Sequence, residues 1–296
     1  MRVPRSLYFA MFSFTASIGV IFGLIASLQD DLGFANSALG LIAAASFFAS
    51  FIGQLFLAPL ADRGKTKPLL LFSVILAVFG TLWFALASSV WELTMARALT
   101  GLGFGAFAPA ARAIVSNIDA SRAGERLGRL AAIETSGFVT GPVIGAALNE
   151  IWGIDAPFIF LSAFLICMLP GLIKINISVE NEIPQDSRRS AAKVIVKRKE
   201  AAGAILLGAA MFFPAGMYEA IWARFMEDLG ASTLFVGISL TMYGIPFAFT
   251  ASTAGKFIDR IGPWRAAIFG ISVIIPMTYH PKPQVKEVLL THFSTI

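Results

Sequence analysis

Apolar runs of about twenty residues, broken by short clusters of charge, leave this chain few folds to choose from. The stretch 53–67, GQLFLAPLADRGKTK, shows the pattern. An uncharged run ends at Asp62; Asp62, Arg63, Lys65 and Lys67 form a tight cluster, and the next apolar run, 68–88, begins at once. A helix of about twenty residues is what crosses the hydrocarbon core of a bilayer. Inside that core every backbone N–H and C=O must be paired within the segment, which selects helix over any open strand. Two such helices joined by so short a turn run antiparallel. The composition agrees: 14% of residues are charged, against about a quarter in a soluble domain, and the mean hydropathy is +0.77.

Followed along the chain, the pattern predicts an all-α polytopic membrane protein with about 8–9 transmembrane helices. The first expected span is 7–28, preceded by Arg2 and Arg5. That charge order also fits a secretory signal, but the run exceeds the usual apolar core of about 7–15 residues, so it reads as an uncleaved helix. The next spans are 38–61, 68–88, 92–115, 130–149 and 157–175, which complete a six-helix half, 1–175. The segment 176–200, with Pro184 and a cluster of bases, reads as a cytoplasmic linker, either solvated or lying on anionic lipid through 193–199. Spans at 201–225 and 233–253 and a ninth starting near Arg265 make an incomplete second half, 201–277. The apolar stretch 266–277 is too short to cross, and the polar tail 278–296 resembles nothing before it, so the expectation is a chain truncated in its second half.

Charge placement gives the orientation. With the N-terminus in the cytoplasm, 18 of the 23 lysines and arginines fall in cytoplasmic segments. Asp30, Asp31, Glu150, Asp155, Glu227 and Asp228 fall outside, with Arg224 at the edge. This is the positive-inside pattern of a plasma (inner) membrane protein. The net charge of +5 is therefore a topology signal, and nucleic acid is not an expected partner. Cys167 lies within an apolar run and reads as a buried small hydrophobe rather than a reactive thiol. With one cysteine, and both histidines (His280 and His292) in the tail, no metal site is expected. No phosphate-binding GxxxxGK[ST] loop and no Ser/His/Asp or Cys/His set is present outside the tail, so neither an ATP-driven pump nor an enzyme is expected, and no cofactor is implied.

Three motifs sit on this frame. The Asp-Arg pair of the first turn, Asp62-Arg63, returns 197 residues later as Asp259-Arg260 within Gly255–Arg265, GKFIDRIGPWR. Each copy follows an even-numbered span, the plan of two parallel halves related by an axis along the membrane normal. The second motif is Arg97-Ala-Leu-Thr-Gly101-Leu-Gly103-Phe-Gly105 in the fourth span; the third is Gly137-x-x-x-Gly141-Pro142-x-x-Gly145 in the fifth. Glycines at this spacing line one helix face and allow close approach, and Pro142 removes a backbone donor and bends the helix.

Together these resemble the major facilitator superfamily, over roughly residues 7–270. The second turn matches the family's Gly-x-x-x-Asp-Arg-x-Gly pattern at Gly255, Asp259, Arg260 and Gly262, whereas in the first copy Ala58 holds the leading glycine position. The Gly-Pro-x-x-Gly element resembles that of the antiporter branch, with Ala146 where a second glycine is usual. The resemblance implies secondary transport by alternating access, with proton-coupled export of a small amphipathic compound ahead of metabolite uptake; a truncated, non-transporting remnant is the alternative. It implies a small-molecule substrate, protons and the lipid bilayer as partners. It also implies a conformational latch in which Asp62 meets the start of an eleventh helix and Asp259 the start of the fifth.

Ionisable residues inside spans are functional candidates by default. Arg97 reads either as a buried cation acting on substrate or proton coupling, or as a residue snorkelling to the outer headgroups near Glu92. Arg112 and Glu134 fall at similar depth on antiparallel helices, which predicts a clamp with Asp62; a titrating Glu134 is the alternative. Glu219, toward the outer half of the seventh span, reads as a proton- or cation-binding carboxylate or as a wetted helix end.

Overall fold

The structure, a computed structural model, describes residues 3–118, 123–175, 202–203, 206, 216, 221–242, 244–245, 261 and 263–278. The chain divides into two compact units, 1–245 and 246–296. In the first, six helices among the described residues are long and apolar enough to cross a membrane. They are built from α1 (Arg5–Gly19), α3 (Asn36–Phe56) continued by α4 (Ala58–Leu60), α5 (Thr66–Leu86), α6 (Val90–Asn117), α7 (Ala123–Trp152) and α8 (Ala156–Ile173). A short helix, α2 (Ile25–Leu32), continues the line of α1 after a 3-10 turn at Val20–Gly23. Toward the end of the unit come a helical stretch at 221–228, α9, and α10 (Thr233–Met242). The second unit contributes α11 (Pro263–Thr278).

The hydrophobic pattern explains the arrangement. The first span has 78% of its apolar window buried, against 33% for the second, fifth and sixth, so α1 is a core helix and the others turn a face outward. α5 and α3 pack along α6, α7 packs along α1, and α8 closes the wall against α5 and α1. Phe14 of α1 and Phe107 of α6 meet at 5.0 Å between ring centroids; nearer the other end Phe84 and Phe158 meet at 4.7 Å. Phe48, Phe51 and Phe56 of α3 stay exposed, as a helix side facing lipid can.

The structure differs from sequence expectation in three places. The first span is not one continuous α-helix: it tightens at residues 20–23, and Leu24 leaves helical geometry at φ −121°. The fifth helix begins at Ala123 rather than near residue 130, because bilayer thickness limits the apolar part of a helix and not its length. Its extra turns carry Arg129, whose guanidinium lies 6.0 Å from the Tyr8 ring centre. Cys167 is exposed on the outer side of α8, not buried, because α8 forms the wall of the bundle. In the second unit, the described helix α11 covers 16 residues, about 24 Å. Of the expected seventh and eighth spans, only 202–203, 206, 216, 221–242 and 244–245 lie within the described residues. The linker 176–200 lies outside them.

Candidate functional site

Arg97 sits two turns into α6, and Ser89 keeps the nearby Glu92 occupied at the helix start. Ser89 caps α6 in a reciprocal box: its Oγ accepts the Glu92 N–H at 3.3 Å, and Glu92 Oε2 accepts the Ser88 and Ser89 N–H groups at 2.8 and 3.1 Å. Glu92 is thus engaged at the helix start. Arg97 is 3% exposed and points into the bundle instead of out to the headgroups. One of its terminal nitrogens donates to the Ile18 carbonyl of α1 at 3.0 Å and the other to Ser46 Oγ of α3 at 2.9 Å. The change to 3-10 bonding at residues 20–23 makes the acceptor available. A 3-10 N–H reaches back three residues, so the Phe22 N–H turns to Gly19 and the arginine supplies Ile18 with a donor. The Phe22 ring lies 5.6 Å below the guanidinium and contacts Phe47 and Phe138. A planar cation with donors on two edges thereby ties three helices together.

The glycines of the second and third motifs let this happen. A Cβ at Gly101 would land on the Ser46 carbonyl, and one at Gly105 on that of Ser50, so α3 and α6 meet backbone to backbone. On α7, a Cβ at Gly137 would collide with Phe12 O of α1, one at Gly141 would fall 2.7 Å from Ala16 O and one at Gly145 2.5 Å from Val20 Cγ2. Pro142 has no N–H to offer the Phe138 carbonyl, and that oxygen is the one against which Gly19 packs. A neighbouring face of the same segment holds α10: a Cβ at Gly237 would sit 2.7 Å from Pro142 O, and Thr241 Oγ1 donates to Val139 O at 2.8 Å. The Gly-Pro part of α7 thus packs against both the first span and α10.

At the other end of the α6–α7 pair, Arg112 and Glu134 meet. One arginine nitrogen donates to both carboxylate oxygens, at 3.0 and 2.9 Å. Because α7 starts early, Glu134 lies roughly three turns inside the helix rather than one. Arg63 is exposed and Gly64 takes φ +75° to turn the chain between α4 and α5. The Asp62 side chain, Glu219, Gly255, Asp259, Arg260 and Gly262 lie outside the described residues.

One cluster was not picked out from the sequence. Arg224 of α9 pairs with Asp30 of α2 and with Asp228, its own i+4 neighbour. Beside it Glu227 Oε1 accepts from Ser27 Oγ and from Thr233 Oγ1, each at 3.4 Å. Burial pushes the Glu227 carboxyl above its ordinary range; the nearby charge of Asp30 adds to this, and the hydroxyl donors and the charge of Arg224 oppose it. These residues read as loop charges marking topology. The signal that finds them is the 197-residue repeat: Gln29-Asp30-Asp31-Leu32-Gly33 returns as Met226-Glu227-Asp228-Leu229-Gly230. Both copies end a helix on a left-handed glycine, at φ 65° and 84°.

Comparison with known proteins follows the same lines. The sequence matches the Major Facilitator Superfamily over residues 7–279. It is 28% identical over 259 residues to the multidrug resistance protein MdtG of Klebsiella pneumoniae (strain 342), covering 82% of this chain and 62% of that one. It is 28% identical over 295 residues to MdtG of Proteus mirabilis (strain HI4320), covering 92% of this chain and 71% of that one. Among solved structures, a bacterial homologue of the human lysosomal transporter Spinster, inward-facing and unoccupied, superposes with a TM-score of 0.73 at 17% identity. That match covers 88% of this chain and 62% of the other. The inward-open xylose transporter XylE of E. coli gives a TM-score of 0.58 at 15% identity, over 88% of this chain and 69% of that one. With its six apolar spans, its closely packed Gly-Pro helix and a family match across nearly its whole length, this chain is a multi-pass membrane protein that belongs to the Major Facilitator Superfamily.

Proposed function

We propose that this chain carries the translocation pathway of a secondary transporter that exports a small amphipathic compound in exchange for protons. It would lie in the plasma membrane with its N-terminus in the cytoplasm. The observation that carries the reading is Arg97: a desolvated cation held between α1 and α3 over a cluster of phenylalanines. Such a residue is costly in a spanning helix and is kept where it acts on a substrate or a proton path. The multidrug resistance proteins matched over 82–92% of the chain favour an exported, chemically variable substrate.

In this reading Arg97, Glu134 and Glu219 are the coupling candidates, and substrate binds near the midplane between halves at 1–175 and 201–277. Asp62, Arg63 and Arg112, with Gly255, Asp259, Arg260 and Gly262, form the cytoplasmic latch. α7, held at its Gly-Pro segment by both the first span and α10, is the element about which the halves rock. The chain spans 62% of the Klebsiella relative's length, so the assay runs this chain beside a full-length relative. Everted vesicles with an imposed pH gradient are loaded with a lipophilic cationic dye. Gradient-dependent dye movement, abolished by a protonophore and lost on Glu219→Gln, is the expected result. Dye movement indifferent to the gradient overturns proton exchange, and unchanged movement in Glu219→Gln removes that residue from the coupling.

A further inference from the structure

The 197-residue offset has a geometric counterpart at the outer ends of α2 and α9. Under that offset Ser27 corresponds to Arg224, and Asp30 to Glu227. The contacts between the two copies are reciprocal. Position 27 of the first copy meets position 30 of the second, as Ser27 on Glu227. Position 27 of the second meets position 30 of the first, as Arg224 on Asp30. An approximate twofold axis along the membrane normal makes such paired contacts, each surface patch meeting its own equivalent. The chemistry breaks the symmetry. One carboxylate, Asp30, is hydrogen-bonded by an arginine; its counterpart Glu227 is hydrogen-bonded by the hydroxyls of Ser27 and Thr233 and feels Arg224 only through space.

We propose that Glu227 is a proton-binding site that locks the outer contact between the two repeats. Protonated, it is a neutral, half-buried acid, able to share hydrogen bonds with Ser27 and Thr233. Ionised, it becomes a further negative charge in a group already rich in them. The charged groups around it are Asp30 and Asp31 from α2, Arg224 and Asp228 from its own helix, and Glu150 at the end of α7, which lines a small cleft with Thr233; α10 carries none. A single arginine, already shared by Asp30 and Asp228, faces them. The burial that raises the Glu227 carboxyl means that the closed contact binds the proton more tightly than the open one. Linkage then requires that lower external pH favours closure and that rising pH releases it. A proton taken from outside would thus close the side it entered from.

The consequence for transport rests on the alternating-access reading above, but the contact can be tested without it. The full chain, with Cys167→Ser and cysteines at Leu32 and Leu229, is spin-labelled, placed in lipid vesicles and examined by pulsed electron resonance from pH 4.5 to 8. These two leucines are repeat equivalents, and both are exposed beside the contact. The short-distance population should fall as pH rises, with a midpoint above the ordinary glutamate value of about 4.3. The closed-to-open ratio should change about tenfold for each unit separating the two states' affinities for the proton. Glu227→Gln should hold the short distance at every pH. Ser27→Arg, which supplies an arginine at the equivalent position, should also hold it, now with Glu227 ionised. Asp30→Asn should move the midpoint down. A wild-type distance that ignores pH overturns the proposal, and so does a Glu227→Gln chain that titrates as the wild type does. If dye export fails while this distance still titrates, the transport reading falls and the proton lock stands; the converse result removes the lock alone.

Discussion

An arginine inside an apolar span has lost its water, and it persists only if the protein replaces those hydrogen bonds. Arg97 receives an oxygen from α1 and another from α3, the first from Ile18 just before the helix tightens to 3-10 bonding. Lysine offers a point charge rather than a fork and cannot span both acceptors. Arg97→Lys should therefore lower the thermal midpoint in detergent, with a stability loss of about 1–3 kcal/mol for a missing bond to a charged group. It should also lower dye export in vesicles while the protein still inserts. A midpoint and export rate equal to wild type would show that the bridge is dispensable. Arg97 was legible as a candidate because a lone charge in an apolar run stands out in one dimension. Its partners were not, since Ile18 contributes a backbone oxygen that every residue has. Glu227 was the reverse case: its charge was plain, but that a hydroxyl rather than an arginine meets it depends on a serine 200 positions away.

Among the helices, close packing depends on where a Cβ is missing. Gly101 lies on the Ser46 carbonyl, whereas nothing lies within 4 Å of a Cβ added at Gly40. Gly101→Val should push α3 from α6, disturb the Ser46–Arg97 bond and destabilise by about 1–3 kcal/mol as an overpacked site does. Gly40→Ala, in the same helix pair, should be neutral or stabilising by up to about 1 kcal/mol through helix propensity alone. Melting both variants in one detergent tests the contrast, and equal midpoints would count against the close approach. The glycine spacing announced a packing face, because i and i+4 residues share one side of a helix. Which neighbour it faced was not written there. Gly137 and Gly141 meet α1 and Gly145 the 3-10 turn that follows it, while α10 meets the same segment at Val139 and Pro142. The early start of α7 was missed for a related reason: charged residues end an apolar run without ending a helix.

For the molecule as a whole, charge distribution makes a prediction that the fold alone does not. If the N-terminus is cytoplasmic, Asp155→Cys in a Cys167→Ser background should react in intact cells with a membrane-impermeant thiol reagent. Lys65→Cys should react only after the cells are opened. Both positions are exposed, so access depends on the side of the membrane alone. The reverse pattern would invert the topology.

The number and order of the first six spans, the family and the 197-residue repeat were all present in the linear order of residues. Hydrophobic length and charge alternation act locally: a segment must cross the bilayer and pair its own backbone whatever its neighbours are. The break in the first helix, the outward face of Cys167, the burial of Arg97 between α1 and α3 and the unequal pairs at the outer contact were settled by folding. Each depends on which helix lies against which. In a bilayer, where helices are all about as apolar as the lipid, that choice is made by backbone approach and by a few polar partners far apart in the chain.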